Sequence, residues 1–334
     1  MKKVTMQDVA KKANVSKSTV SQFINCRYEY MAEDTKKRIE QAIYELGYIP
    51  NQIAKSLKQK KTSTIGVIVA NILHMFSTEI IRSIEDVCEN NDFHLFVCNA
   101  DDDPKKERSY IEMLMAKQVD GLIIFPTSGN ADLYEKIKKS NFPIVFLDRK
   151  MDPPIYPILM LDNEKAAQLA VDPIIQSGKT KIGLVSTSVT RGITPRMERI
   201  AGFEKVLVNN GLPLNKDWII TADRHEIVDR LEKVWEGEDR PSAFFATNDL
   251  SLIELLKFLK AKNLRIPEDV SVTAIDDSPF LDFSTPPITV VKQPTFEMGK
   301  DAAIKILELI GNKQLDEEYE IKRYLPSLIK RGSV

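Results

Sequence analysis

Two short helices with complete start signals, separated by a corner, occupy Val4–Asn25 (VTMQDVAKKANVSKSTVSQFIN). Thr5 stands at an N-cap position, with Asp8 three residues on where a capping box needs it. Val4 and Val9 have the spacing of a hydrophobic staple. Met6, Val9, Ala10 and Ala13 recur at helical spacing, so one face is apolar. Asn14 breaks the run. Ser16 restarts it as a second N-cap, Val15 and Val20 repeat the staple, and Val20 and Ile24 carry the second apolar face. Helices this short cannot bury a core alone, so they must cross each other and pack on a third. The chain supplies one at Glu33–Leu46, with Ile39, Ala42, Ile43 and Leu46 on one face and Gly47 as its stop. Glu33 and Asp34 suit its positive N-terminal end, although Ala32 at its cap position offers no side-chain acceptor.

Such an arrangement is a helix-turn-helix, a unit whose second helix enters the DNA major groove. The outward face of that helix carries Lys17, Ser18, Ser21, Gln22 and Asn25. Short hydroxyls, an amide and an ammonium suit phosphates and base edges. Taken alone they would equally make a solvated helix face.

Charge separates the two readings. The chain of 334 residues has a net charge of −1, but residues 1–62 hold 13 Lys+Arg against 6 Asp+Glu, and the remainder 34 against 42. A basic head on an acidic body is the footprint of a nucleic-acid binder whose body does something else. No apolar run approaches the roughly 20 residues of a membrane span, and MKKVTMQDVA lacks the apolar core of a secretory signal. The three cysteines, Cys26, Cys88 and Cys98, are odd in number and scattered. They fit a reducing cytoplasm and no disulfide framework or zinc site.

From Thr64 the pattern changes. Apolar runs at Ile65–Val69, Leu95–Cys98, Gly121–Phe125 and Ile144–Leu147 alternate with helical segments near Thr78–Asn90, Pro104–Lys117 and Ala131–Lys139. A second series has strands Ile182–Val185, Ala243–Ala246 and Val270–Ala274, and helices near Asn163–Gln176, Pro195–Asn209, Ile227–Trp235 and Leu250–Lys262. A crossover at Ile288–Pro294 leads to a last helix, Glu297–Ile310. Alternating βα units imply parallel sheets covered on both faces. The expected fold class is an N-terminal all-α head followed by an α/β body of two doubly wound parallel-sheet lobes. A ligand would sit between the lobes, at the carboxyl ends of the strands.

The segment resembles the N-terminus of the lactose/galactose-repressor family, whose pattern begins VTxxDVAxxAxVSxxTVSxxxN. Each fixed position is filled here: Val4, Thr5, Asp8, Val9, Ala10, Ala13, Val15, Ser16, Thr19, Val20, Ser21 and Asn25. The similarity continues through Tyr48–Leu57 and more weakly to the end. It implies a helix-turn-helix domain at 1–48 and a hinge helix with linker at 49–62. It further implies an effector-domain N-lobe at 63–161 plus about 291–322, and a C-lobe at 162–290 plus about 323–334.

The resemblance also assigns roles. Lys17, Ser18 and Gln22 would read bases, Ser16, Thr19, Ser21 and Asn25 would sit on phosphates, and Thr5 would also contact DNA. Gln22 departs from the commoner Arg, and an amide favours adenine where Arg favours guanine. In the hinge, Asn51 would cap a short helix carrying Ala54, and Leu57 would wedge into the minor groove when two copies pair. Asp148 of PIVFLD, Arg199 of RxxGF, Asn248 of ATNDL and Asp276 of AIDD match cleft residues that bind a sugar effector; each could instead be a cap or a surface charge. His74 and Phe76 stand in the first-lobe cleft loop, Phe76 as a stacking wall. Arg149 and Arg196, with Arg191 nearby, suggest an anionic effector such as a sugar acid. Overall wording is most similar to members sensing 2-keto-3-deoxygluconate in pectin or hexuronate breakdown.

The implied function is a homodimeric repressor of a pseudo-palindromic operator in double-stranded DNA, controlled by a sugar or sugar-acid effector and needing no cofactor or metal. An effector-dependent activator and a co-repressor-dependent regulator remain alternatives. A free sugar-binding protein would lack the basic head. An enzyme would need an acid–base arrangement that the chain does not offer: Ser177-Gly-Lys-Thr180 lacks the first glycine of a phosphate loop, and Asp101–Asp103 reads as helix capping.

Overall fold

A computed structural model describes residues 4–49, 61–312, 319 and 321–334. It divides into a head, Met1–Thr62, and a body, Ser63–Val334.

The head forms the three expected helices, α1 (Met6–Ala13), α2 (Lys17–Ile24) and α3 (Glu33–Leu46). The capping box closes on α1: the Thr5 backbone N–H donates to Asp8 Oδ2 at 2.8 Å, and the Asp8 N–H donates to Thr5 Oγ1 at 3.4 Å. Asn14 ends α1 at φ 53°, a left-handed conformation that asparagine tolerates. Val9, Ala10, Ala13, Val20, Ile39, Ala42 and Tyr48 are buried together, with Val4, Val15, Ile24, Ile43 and Leu46 packed around them. Ala32 makes no side-chain cap; instead the Arg38 guanidinium donates to Ala13 O at 3.2 Å and ties α3 to the end of α1.

In the body, the first sheet runs β11-β5-β4-β3-β1-β2 and the second β12-β10-β9-β8-β6-β7. The first comprises β1 (Thr64–Val69), β2 (His94–Asn99), β3 (Gly121–Ile124), β4 (Ile144–Leu147), β5 (Ile158–Leu161) and β11 (Ile321–Tyr324), all parallel. The second comprises β6 (Ile182–Thr187), β7 (Ile219–Ala222), β8 (Ala243–Ala246), β9 (Ser271–Ile275), β10 (Thr289–Lys292) and β12 (Ser327–Ile329). Only β12 is antiparallel there, against β10. Continuous apolar strands such as IVFL and AFFA are buried along their whole length, as sheets covered on both faces require.

The first sheet is covered by α4 (Met75–Glu89) and α11 (Thr295–Gly311) on one face and by α5 (Pro104–Ala116) and α6 (Ala131–Lys138) on the other. Helices α4 and α11 cross closely because Gly299 carries no side chain: a Cβ there would lie 2.9 Å from Ile80 O and 2.8 Å from Ser83 Cβ. The second sheet lies between α7 (Asn163–Gln176) with α8 (Thr194–Asn209) and α9 (Ile227–Glu236) with α10 (Asp249–Ala261).

The segment expected as a bare crossover, 288–294, contains strand β10 of the second sheet. Strand β11 still belongs to the first sheet. The last two crossings between lobes therefore fall after Lys292 and after Tyr324, slightly beyond the expected 291 and 323. Ser177–Thr180 follows a helix and precedes β6, the reverse of the strand–loop–helix order a phosphate loop needs. No described helix is long and apolar enough to cross a membrane.

Candidate functional site: a polar helix face and an interlobe cleft

On the head, Ser16, Lys17, Ser18, Gln22 and Asn25 are exposed, and Thr19 and Ser21 half-buried. Ser16 Oγ accepts from the Thr19 N–H at 3.1 Å and lies 2.6 Å from Ser18 Oγ, so the cap holds the start of α2 rigid. The Asn25 amide donates to Ser21 O at 2.7 Å. The α2 side chains predicted to face bases therefore do share one exposed face. Asn51, Ala54 and Leu57 lie outside the described residues.

In the body, both sheets carry the strand order in which a crevice opens beside the first strand, beyond the carboxyl ends. The eight residues predicted for the effector, His74, Phe76, Asp148, Arg149, Arg196, Arg199, Asn248 and Asp276, line a single cavity there. Asp148 follows β4, Asn248 follows β8 and Asp276 follows β9. Asp148 and Asp276 take left-handed φ values of 66° and 82°, which turn the chain sharply as it leaves each strand. Phe76 stands edge-on to Phe125, ring centroids 6.1 Å apart, as one apolar wall.

Arg199 is anchored from two sides, Nε donating to Asn163 Oδ1 at 2.9 Å and Nη1 to Thr247 O at 2.7 Å. Asn248 combines the two readings its sequence position allowed. Its Oδ1 caps α10 by accepting from the Ser251 N–H at 2.8 Å, while its amide nitrogen reaches Thr187 Oγ1 at 3.4 Å beside the cavity.

Burial pushes the Asp148 carboxyl up, against the opposing pull of Arg149, Arg199, His74 and Arg196. Burial, with the Asp249 charge adding, pushes Asp276 up to about 6. Both acids are hydrogen-bond acceptors held in a site that strips them of water, which suits hydroxyl donors on a ligand.

Three contributors had no signal in the sequence. Asp102 lies between the arginines: Arg149 Nη2 is 2.5 Å from its Oδ1, and Arg196 Nη2, from the other lobe, 3.1 Å from its Oδ2. Arg191 also donates to its backbone carbonyl. Burial raises the Asp102 pKa, but the two guanidiniums outweigh it and hold the carboxyl below its usual range. Of its neighbours, Asp103 caps α5 as the sequence suggested, accepting from the Lys105 N–H at 2.8 Å, whereas Asp101 makes no cap and pairs with Lys106 at 2.5 Å. Asp249 is the second. It accepts from the Met75 N–H at 3.0 Å and pairs with His74 Nδ1 at 2.5 Å, so His74 joins the lobes as well as lining the cavity. Gln293 is the third, donating to Asp276 Oδ1 at 2.6 Å from the end of β10; a segment read as a crossover concealed it.

Two buried polar atoms on the cavity wall, Arg149 Nε and Gln293 Oε1, have no hydrogen-bond partner. Arg149 Nε instead makes an ion pair with Asp148 Oδ2 at 3.9 Å. Among the described residues no group of His, Cys, Asp and Glu could hold a metal ion.

Comparison with known proteins places both parts. Residues 5–51 match the family described as bacterial regulatory proteins, lacI family. Residues 171–334 match a periplasmic binding protein-like domain. The chain is 45% identical to a probable HTH-type transcriptional regulator, EndR, of Paenibacillus polymyxa, over 99% of this chain and 98% of that one. It is 34% identical, over the same shares, to the HTH-type transcriptional repressor PurR of Aliivibrio salmonicida (strain LFI1238). Among solved structures it is similar to the lac repressor bound to ONPG in the repressed state, with a TM-score of 0.85 at 25% identity over 100% of both chains.

Proposed function

The chain belongs to the lacI family of bacterial transcription regulators, and from that premise we propose a repressor whose grip on operator DNA is set by a neutral polyhydroxyl effector bound between the lobes of its body. The observation that carries the effector reading is the cleft between the lobes: eight polar and aromatic side chains, delivered by five segments from both lobes, line one cavity.

Charge balance argues for a neutral sugar over a sugar acid. Arg149, Arg196 and Arg199 line the cavity with Asp148 and Asp276, and Arg149 and Arg196 are already paired to Asp102 beside it. A carboxylate entering here would meet two cations already paired to Asp102 and two buried aspartates of its own sign. Hydroxyl groups can both donate to Asp148 and Asp276 and accept from Arg149, Arg199 and Asn248.

Paired copies would present two heads to a two-fold operator. Edge strand β2 leaves Phe96 and Val97 44% and 41% exposed, an apolar edge that suits cover by a second copy. Coupling follows from linkage: an effector that prefers one arrangement of the lobes shifts the heads, and operator DNA weakens effector binding by the same factor.

Titration of a fluorescently labelled operator with the full-length protein, with and without a panel of sugars and sugar acids, tests this. The expected result is tight, salt-dependent, sequence-specific binding that at least one neutral sugar changes. A response confined to sugar acids overturns the neutral-effector reading, and binding indifferent to every compound overturns effector control.

Gln22 carries a separate prediction. Gln22→Arg should shift preference from adenine towards guanine at one base pair of each half-site, by about 1–3 kcal/mol. Operator variants scanned at each position would show it. Uniform change across all positions would mean that residue 22 contacts only the backbone.

A further inference from the structure

At each of the three crossings between lobes, a polar side chain is bonded to a cleft residue or to its immediate neighbour. At the first, between β5 and α7, Asn163 Oδ1 accepts from Arg199 Nε at 2.9 Å. At the second, after β10, the Gln293 amide donates to Asp276 Oδ1 at 2.6 Å. At the third, near the end of β11, Arg323 holds Glu198, the residue before Arg199 on α8. Two guanidinium nitrogens donate to the two carboxylate oxygens there, at 2.8 and 2.9 Å. The first and third crossings lie side by side: the Asp162 N–H donates to Tyr324 O at 2.9 Å, and Arg323 Nη1 donates to Leu161 O at 3.1 Å.

Asn163 joins the first and third of these contacts into one chain. Its Nδ2 donates to Glu198 Oε2 at 3.0 Å while its Oδ1 serves Arg199. A guanidinium needs an acceptor and a carboxylate a donor, so one orientation of the amide satisfies both. Asn163 is fully buried, and with both ends held it cannot follow a movement of Arg199 without loosening Glu198. Burial pushes the Glu198 carboxyl up, but the bonds from Arg323 and Asn163 outweigh it and hold the group below its usual range. None of Asn163, Glu198 and Arg323 lines the cavity.

We propose that Asn163, Glu198 and Arg323 are positioning residues that couple the cleft to the angle between the lobes. A ligand seated on Arg199 acts through the Asn163 amide on Glu198, whose hold on Arg323 sets how the first and third crossings bend. This rests on the cleft being the effector site. Lobes joined by three crossings turn relative to each other by bending there, and the Glu198–Arg323 pair spans that bend from the second lobe to the first.

Anisotropy titration of labelled operator with the full-length protein tests this, alone and with excess glucose, xylose, cellobiose, xylobiose or galacturonate. The larger operator dissociation constant divided by the smaller is the coupling factor, and calorimetry gives each compound's affinity. For any compound that moves the parental constant, Arg323→Gln and Glu198→Gln should cut the factor about fivefold or bring it to one, with affinity for the compound within about threefold of the parent. Both variants should melt close to the parent, because the pair is partly exposed. Arg323→Lys keeps the charge and should recover part of the factor. Lys205→Gln breaks an ion pair that α8 makes within the second lobe, with Glu164 at 2.8 Å, and should leave the factor unchanged. A parental factor in both glutamine variants would overturn the coupling role and leave the effector cleft intact. An equal fall in Lys205→Gln would do the same, as would a fall matched by lost affinity for the compound. If no compound moves parental operator binding, effector control itself fails, and this proposal with it.

Discussion

Arg199→Ala is expected to abolish the effector response while specific operator binding persists. The guanidinium lines the cavity and is fixed by Asn163 Oδ1 and Thr247 O, so its fork is preorganised for a ligand's hydroxyls. Charge-assisted hydrogen bonds contribute about 1.5–3 kcal/mol each, so losing two should weaken the effector at least about 100-fold. The same change strands two buried acceptors and lowers the stability of the body by about 1–3 kcal/mol for each. Arg199→Lys separates the effects, since it keeps the charge and loses the fork. It should fold nearly as the parent does and still lose most effector affinity. Calorimetry for the effector, anisotropy for the operator and thermal melting for the fold read the three quantities. A variant that still answers the effector at parental concentrations would remove Arg199 from the site.

Asp102→Ala should be the most destabilising single change in the cleft. It leaves the Arg149 and Arg196 guanidiniums, 6% and 9% exposed, without their shared counter-ion. Removing one partner of a buried ion pair costs about 3–5 kcal/mol. The pH dependence has a definite sign. In the folded protein the Asp102 pKa is held below its usual value, near 3.9 in an unfolded chain. Its contribution is therefore present in full above that value and is lost as pH falls through the folded pKa. The stability gap between parent and variant, measured by urea unfolding, should be widest near neutrality and should narrow below about pH 4. A gap that stayed constant into acid would mean that Asp102 contributes packing and not charge.

Much of this was legible in the chain before any fold was known. Caps and staples are local: Thr5–Asp8 and Ser16–Thr19 need only three or four consecutive residues to make sense, and each forms as its spacing dictates. Fully buried central strands such as Ile144–Leu147 and Ala243–Ala246 announce themselves as unbroken apolar runs, and their bounds agree with expectation. Asp148, Asn248 and Asp276 were picked out by the family resemblance of the motifs that hold them, and each lies at a strand's carboxyl end, where this sheet order opens a crevice.

What stayed hidden was of two kinds. Edge strands carry a weak signal: β7 (IITA), β11 (IKRY) and β12 are half exposed, so they mix polar with apolar residues. Strand β5 lies behind Pro153, Pro154 and Pro157, which read as a loop. The other kind concerns partners far apart in sequence. Nothing near Asp102 announces Arg196, 94 positions on, and nothing near His74 announces Asp249, 175 positions on. The chain alone determined which local elements form and which residues lead into the cleft, because caps, apolar periodicity and turn chemistry act over a few neighbouring residues. Only the tertiary structure decided that Arg149 and Arg196 come already paired to Asp102, and that a second cavity lies beside them. Charge compensation and free volume depend on which distant side chains meet, and that is fixed by the packing of two lobes whose chain crosses between them three times.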